Sequence, residues 1–424
     1  MDVQISTLGT FLALIVTIGL ILVKVAPAYA MMAGAVFGGV LGGLALTDTV
    51  QIMITGAEGM VGVVLRVLAA GVLAGVLIES GAAKKIAESI LDGLGETKAI
   101  LAVAGATMVL TGVGVYVGVA VLTIAPIALA IAKKTNMTKM AVLLAISGGG
   151  KAGNIISPNP NTIAVGEAFQ VPLTTVMFAG VFPAVAGLGI TYVLAQKLKY
   201  KGSKVQDHDL STEVKGENPT LLKALSAPGV AIFLLLLQPL AGVQVDPLFA
   251  LPIGGIVGAI IMGKRENLNE YISSGLQKMA GVAVLLIGTG TLAGVISHSA
   301  VIGQIIIGID AFHIPAYILA SLAGITMSGA TGSTAAGTAV AGNVFAPSIM
   351  DYGIHPLAGA AMVNSGATVL DHMPHGTYFH ITLASVHIGM KERFKLLPYE
   401  TLIGAVIALV SMVIFGVFGH VFLG

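Results

Sequence analysis

The sequence predicts an all-α polytopic membrane protein built from two inverted-topology repeats. Three observations predict it. Of 424 residues, 56% are hydrophobic and only 10% charged, against about 25% charged in a soluble domain, and mean hydropathy is +0.97. Apolar segments follow one another along almost the whole chain. Two of them are interrupted by glycine, proline and polar residues, in SGGGKAGNIISPNPNT at 147–162 and NSGATVLDHMPHGTYFH at 364–380. Broken backbone inside a bilayer survives only where protein or a watery cavity satisfies its polar groups, and two broken helices in matching halves point to a transporter's substrate site.

Composition narrows the class further. The 56 glycines suit helices packed through small residues. With no cysteine, disulfides and thiolate metal sites are excluded. A net charge of +1 gives no reason to expect a nucleic-acid partner, because the charges are sorted by membrane side. The start, MDVQISTLG, has no basic n-region, so no cleaved signal peptide is expected.

In chain order, the apolar segments of the first half run 8–24, 28–46, 55–81, 98–133, 138–169 and 172–197. A polar stretch, 198–219, reads as a flexible cytoplasmic linker. The second half runs 220–242, 246–263, 270–299, 301–350, 354–390 and 397–422. The halves, 1–197 and 220–424, match element for element, which marks an internal repeat. GVLAGVLIESGA (71–82) parallels GTLAGVISHSAV (290–301), and AISGGG (145–150) parallels VNSGAT (363–368).

The fourth element of each half is read as a re-entrant hairpin. Between Lys98 and Lys133 two arms of 12–14 residues flank TGVGVYVG (111–118), and at ~1.5 Å per residue each reaches ~20 Å, short of a ~30 Å hydrocarbon core. The second tip falls at SGATGSTAAGT (328–338). Each repeat then makes five crossings, broken helix included, plus one hairpin, and the odd count inverts the second repeat. On this topology every Lys and Arg outside the segments falls on one side, and Asp48, Asp246, Asp310 and Asp351 fall on the other. Only Arg66, Lys151 and Lys278 lie within segments. The basic side is cytoplasmic by the positive-inside rule, which puts both termini outside. Charge alone does not separate hairpins from full spans, and the short arms favour hairpins.

Two hairpin tips and two breaks should meet at mid-membrane. Helix ends there expose N–H groups suited to a carboxylate, and hydroxyls, amides and freed carbonyls can hold a polar solute or Na⁺. The substrate-binding candidates are Thr111, Tyr116, Lys151, Asn154, Ser157, Asn159, Asn161, Thr162, Ser328, Thr331, Ser333, Thr334, Asn364 and Ser365, with Thr368 beside them. The plain alternative for any one hydroxyl is a cap or a bond to its own i−4 carbonyl. Lys151 and Asp371 are intramembrane charges, costing roughly 2.5–3.5 kcal/mol each at the bilayer centre, so they are expected to pair. Lys151 would hold the substrate carboxylate, with Asp371 as its counter-charge when the site is empty; the alternative is a structural ion pair. For proton coupling the candidates are Asp371, His372, His375, Glu79 and His298, since histidine titrates near neutral pH. His372 and His375 have metal-ligand spacing, yet no matching ligand set accompanies them, so no metal or cofactor is expected.

LIESGAAKKIAESIL (77–91), the glycine-rich tips and breaks, and NSGATVLDHMPHGTYF followed by KERFKLLPYETLIG resemble the gluconate:proton symporter family of the ion transporter superfamily over essentially the whole chain. In the first break, gluconate members favour Pro-His-Pro where this chain has Pro158-Asn159-Pro160. The resemblance implies a homodimer in a bacterial-type inner membrane and elevator-type, proton-coupled uptake of a small organic anion such as gluconate. It divides the chain into a scaffold (about 1–97, 170–300 and 391–424) and a transport part (about 98–169 and 301–390). The coupling ion is expected to be H⁺, with Na⁺ as the other choice. A cation antiporter of the same fold is the alternative, which Lys151 opposes. A membrane enzyme is not expected, because the chain has no HExxH, no GxSxG and no paired catalytic carboxylates.

Overall fold

A computed structural model describes residues 4–23, 25–95, 98–210, 219–299, 315, 317–374 and 376–419. Among these, the chain forms 20 α-helices. Isolated bridges join Ile5 to Ser299 and Thr138 to Lys204. His375, and residues 300–314 with the start of the second transport part, lie outside the described residues.

The first half opens with α1 (Thr7–Leu22), α2 (Pro27–Leu41), α3 (Leu46–Glu58), α4 (Val61–Glu79) and α5 (Ala82–Leu94). It continues with α6 (Ala99–Gly112), α7 (Val117–Lys134), α8 (Lys139–Asn154), α9 (Pro160–Ala168), α10 (Leu173–Ala179) and α11 (Val181–Leu198). The second half has α12 (Leu221–Ala224), α13 (Ser226–Ala241), α14 (Pro247–Ile261), α15 (Leu268–Ser297), α16 (Tyr317–Thr331) and α17 (Thr334–Asp351). It ends with α18 (Pro356–Gly366), α19 (Thr377–Ser385) and α20 (Met390–Ser411).

Local chemistry sets these boundaries. Ser6, Thr138, Asn159, Asp246 and Ser333 are N-caps whose side chains accept from the first turn, and proline opens α2, α9, α14 and α18. Gln170 and His387 follow α9 and α19 with φ of 53° and 50°. The element order recurs: α7 starts at Val117 and α17 at Thr334, α9 at Pro160 and α19 at Thr377, a spacing of 217 residues in both cases.

Among the described residues, five helices are long and apolar enough to cross a membrane, six if the bent pair α9–α10 counts as one. Other expected crossings are shorter: α1, α2, α13 and α14 have 15 or 16 residues, or ~23 Å. Helices α1 to α4 pack with α13 to α15, and α4 crosses α15 at backbone contact. A Cβ on Gly275 would lie 2.0 Å from the Gly71 carbonyl oxygen, so only glycine permits that crossing. On the other side of the molecule α8 packs against α6, α7, α11 and α20, and α18 packs against α16, α17 and α20.

Three sequence expectations change in detail. The glycines at 148–150 and 153 do not interrupt the helix, which runs on to Asn154 and breaks only over 155–159. Their missing side chains serve contact instead: a Cβ on Gly148 would fall 2.0 Å from Thr191 Oγ1, and one on Gly153 2.0 Å from Thr111 Oγ1. The hairpin arms are longer than the sequence suggests, 14 residues in α6 and 18 in α7: the helices take in Thr111, Gly112, Val117 and Gly118 from the expected tip and Lys133 and Lys134 at the far end, and Pro126 sits inside α7 without ending it. The stretch after α11 is docked rather than loose over its first residues. Asp209 is buried and accepts from Lys139 Nζ at 2.7 Å, Lys133 pairs with Asp207, and Ser203 bonds Glu392.

Candidate functional site

The breaks and tips meet around one cavity of about 580 Å³. One wall carries Tyr116 at the first tip, Thr331, Ser333 and Thr334 at the second, Lys151, Asn154 and Asn161 at the first break, and Asp371, Thr377 and Tyr378 at the second. The facing wall is the start of α2 (Ala26–Tyr29) and the middle of α15, apolar apart from Tyr29 and Lys278.

Lys151 is the centre of the polar wall. Its side chain is 3% exposed, and its ammonium donates to Asp371 Oδ1 and to the Thr368 carbonyl freed by the second break. His372 Nδ1 lies 3.2 Å from the same nitrogen. The other carboxylate oxygen of Asp371 accepts from Thr334 Oγ1 at 2.7 Å, tying the second tip to the second break. His372 is fully buried behind Lys151, with Nε2 3.1 Å from both the Leu397 carbonyl and Thr401 Oγ1. That network is satisfied if Nε2–H donates to Leu397 and Nδ1 accepts from Lys151.

The first break is closed by its own amides. Asn159 donates to the Asn154 carbonyl at 2.7 Å, while its Oδ1 accepts from Thr162 N and Thr162 Oγ1. Thr162 Oγ1 also reaches the Ser157 carbonyl at 2.6 Å. Ser157, Asn159 and Thr162 thus shape the break from beneath, and Asn154 and Asn161 face the cavity. Ser157 Oγ and Asn364 Oδ1 are buried without a partner, and Asn364 Nδ2 reaches across to the Ile155 carbonyl at 3.4 Å.

Other candidates stand away from the cavity. Thr111 and Ser328 are buried and bond carbonyls of their own helices, and Ser365 lends its carbonyl to Thr368. Glu79, at the end of α4, accepts from Lys278 Nζ at 2.7 Å and Ser274 Oγ at 2.5 Å. His298 caps α15 through Nδ1 to the Gly294 carbonyl. Neither lines the cavity.

The structure adds residues that sequence reasoning missed. Lys278 stands on the facing wall. Behind Tyr378 lies a buried set: Tyr378 Oη is 2.9 Å from Ser147 Oγ, Ser147 donates to Glu400 Oε1, and Glu400 Oε2 accepts from Arg393 Nη1 at 2.5 Å. Glu400 and Arg393 are fully buried. The available signal was their spacing: seven residues put both on one helix face. The segment bounds leave Arg393 in a basic loop between 390 and 397, yet it sits in the first turn of α20, over the Phe379 ring.

Residues 3–418 match the family described as GntP family permease. An uncharacterized transporter of Haemophilus influenzae is 55% identical over 98% of this chain and 99% of its own length. The D-serine transporter DsdX of Escherichia coli O6:H1 is 24% identical over 96% of this chain and 98% of its own. The fold is shared with the YdaH transporter of Alcanivorax borkumensis (TM-score 0.66, 18% identity, 88% of this chain and 89% of that one). It is also shared with MtrF of Neisseria gonorrhoeae (TM-score 0.56, 15% identity, 87% and 83%). The whole-length family match and the relative sharing more than half its residues place this multi-pass membrane transporter in the GntP permease family.

Proposed function

We propose that this permease is a secondary active transporter that takes up a small hydroxy- or sugar-acid monocarboxylate, such as gluconate, together with protons. The observation that carries the reading is Lys151, a buried ammonium on the cavity wall whose carboxylate partner is a side chain on a break. A substrate carboxylate would replace Asp371 on Lys151, and the released Asp371 would take the coupling proton. Thr331, Ser333, Asn154 and Asn161 offer the hydroxyl and amide contacts that a hydroxylated acid needs. A relative named as a D-serine transporter fits this chemistry, since D-serine carries a carboxylate and a hydroxyl.

In this reading the halves are inverted repeats, supported by the recurring helix starts, the sorted charges and the paired left-handed residues Gln170 and His387. The hairpins are re-entrant, supported by tips at Val113–Tyr116 and Gly332–Ser333 that end at the cavity. Movement is of the elevator type: α6 to α9 with α16 to α19 carry the polar wall past a scaffold of α1 to α4 and α13 to α15. The packing of α11 and α20 on α8 and on each other supports counting them with the moving part. The protein works as a homodimer in a bacterial inner membrane, with basic loops cytoplasmic and both termini outside.

Counterflow in proteoliposomes tests the substrate class, using gluconate, glycerate, lactate, D-serine, citrate and succinate under an imposed pH or Na⁺ gradient. Monocarboxylate uptake driven by inward H⁺ is expected; no uptake of any acid overturns the reading. The motion is tested separately. Arg66 of α4 pairs with Glu167 of α9 at 2.7 Å, and the chain has no native cysteine to interfere. Arg66→Cys with Glu167→Cys, bridged by a bifunctional thiol reagent, should stop transport. Bridged protein that transports at the unbridged rate refutes the elevator.

A further inference from the structure

The proposed function leaves the buried set behind the cavity unused, and its geometry has a direction. It begins at Tyr378, whose side chain lines the cavity, passes through Ser147, and ends on a carboxylate that no solvent reaches. We propose that Glu400 is a second proton-binding site of this transporter, loaded from the cavity through the hydroxyls of Tyr378 and Ser147. The inference rests on the proton-coupled reading above and adds to it the place where a proton is stored once it leaves the cavity.

Each step in the relay is balanced. A cavity water, as hydronium, gives a proton to Tyr378 Oη. Tyr378 passes its own hydroxyl proton to Ser147 Oγ, and Ser147 passes its proton to Glu400 Oε1. Both hydroxyls are regenerated, and one proton has moved from water to the carboxylate. The reverse series returns it. No heavy atom needs to travel, since the Tyr378–Ser147 bond is 2.9 Å and the Ser147–Glu400 bond is already formed.

A purely structural ion pair is the competing explanation, and two features speak against it. Arg393 is not saturated by the pair: Nε donates to Thr382 Oγ1 at 3.1 Å and Nη1 to Glu400, but Nη2 is buried without a partner among the described residues. A brace would also need no hydroxyl chain to the cavity, whereas Ser147 spends its proton on Glu400 rather than on a carbonyl of its own helix. The charged and titratable groups facing Glu400 are Arg393 on its own helix, Tyr378 on α19, His372 in the second break and Lys151 on α8. Helix α18 has no titratable residue, and those of α11, Tyr192 and Lys197, are exposed. Lys151 already engages Asp371, so Arg393 is the charge that faces Glu400 directly. A proton arriving at Glu400 leaves Arg393 uncompensated and makes the buried set one charge more positive, which favours entry of an anion.

The test has two parts, both on the full chain. Infrared difference spectra of purified protein between alkaline and acid pH should show a protonated-carboxyl band that disappears in Glu400→Gln. In proteoliposomes with a trapped pH dye, gluconate, glycerate and D-serine are each added outside. Ser147→Ala breaks the relay but leaves the ion pair and the cavity wall in place. It should keep counterflow, for which Asp371 remains, while slowing the rise of the Glu400 infrared band after a drop in pH about 100-fold or more, the size of a lost proton-transfer group. A band that persists in Glu400→Gln, or one that rises at the wild-type rate in Ser147→Ala, overturns the inference. If wild type exchanges an acid with no proton entry, the coupled reading fails instead, and the infrared band alone then decides whether Glu400 binds a proton.

Discussion

Replacing Lys151 with methionine separates a substrate-binding role from a structural one. The side chains of Lys151 and Asp371 are 3% and 11% exposed. Removing one partner of a buried pair costs about 3–5 kcal/mol, because the other charge stays behind unpaired. Asp371 would keep Thr334 Oγ1 at 2.7 Å and the His372 ring nitrogen at 3.4 Å, neither of which replaces the lost ammonium. Lys151→Met should therefore lower thermal stability in detergent, and adding Asp371→Asn should recover most of the loss, since a neutral pair of similar volume has no charge to desolvate. Transport should not recover. A charge-assisted hydrogen bond contributes about 1.5–3 kcal/mol, so its loss weakens half-saturation about 10- to 150-fold. The assay is counterflow across a range of acid concentrations, run beside unfolding curves of both variants. If the double variant transports with wild-type half-saturation, Lys151 does not hold the substrate and the pair is a brace.

Three further outcomes follow from the packing. Gly275→Val places a Cβ 2.0 Å from the Gly71 carbonyl oxygen, and overpacking of this kind costs typically about 1–3 kcal/mol; Gly93→Ala, with open space around it, should be neutral or stabilising in the same unfolding assay. Asn159→Ala removes the cap of α9 and should cost about 1 kcal/mol in stability, whereas Asn161→Ala, on the cavity, should change half-saturation more than stability. Asp209 lies outside the spanning helices; burial alone would raise its pKa, but the Lys139 ammonium and the Gln206 amide outweigh that and hold the carboxyl below its usual range. A depressed pKa adds stability that is present above the unfolded value, about 3.9, and is lost as pH falls through the folded one. Acid unfolding below about pH 4 should thus be shallower in Lys139→Met, and an unchanged slope would remove the pair's part in docking this segment.

Much of the fold was legible because bilayer chemistry writes it in large letters. Apolar length gave the segments, and proline with polar residues gave the two breaks. The meeting of Lys151 and Asp371 followed from the cost of leaving either alone in lipid. A repeat spacing of 220 makes 151 and 371 equivalent, and it holds for Pro27 and Pro247 at the start of α2 and α14. From α7 onward the spacing is 217, which matches Lys151 with Thr368 and Asp371 with Asn154. The pair forms because the second break brings both Thr368 and Asp371 to one ammonium, not because two equivalent positions face each other. Individual hydroxyls were not legible, because spacing does not say whether an oxygen turns to the cavity, as in Thr334, or back to its own helix, as in Thr111. Arg393 was hidden by company: in KERFK it reads as one more basic loop residue, and only the helix that carries it inward reveals its pairing with Glu400.

Charge balance leads to one more expectation, about voltage. Around the cavity, the buried charges among the described residues form two neutral sets, Lys151 with Asp371 and Arg393 with Glu400. A monocarboxylate that entered alone would leave the moving part with one net negative charge, at roughly 2.5–3.5 kcal/mol for a charge at the bilayer centre. On the proposed proton-coupled mechanism, one proton, on Asp371 or Glu400, removes that penalty, so the loaded carrier that crosses would be neutral and the empty carrier that returns would be neutral too. Neither step then moves charge through the membrane potential, which would otherwise act with ~2.3 kcal/mol per charge per 100 mV. Initial uptake under a fixed pH gradient should therefore be the same whether a potassium diffusion potential is set inside-negative, inside-positive or zero. Uptake driven by potential alone, with no pH gradient, would mean that the crossing form carries net charge and that the one-proton balance between the carboxylate and these pairs is wrong.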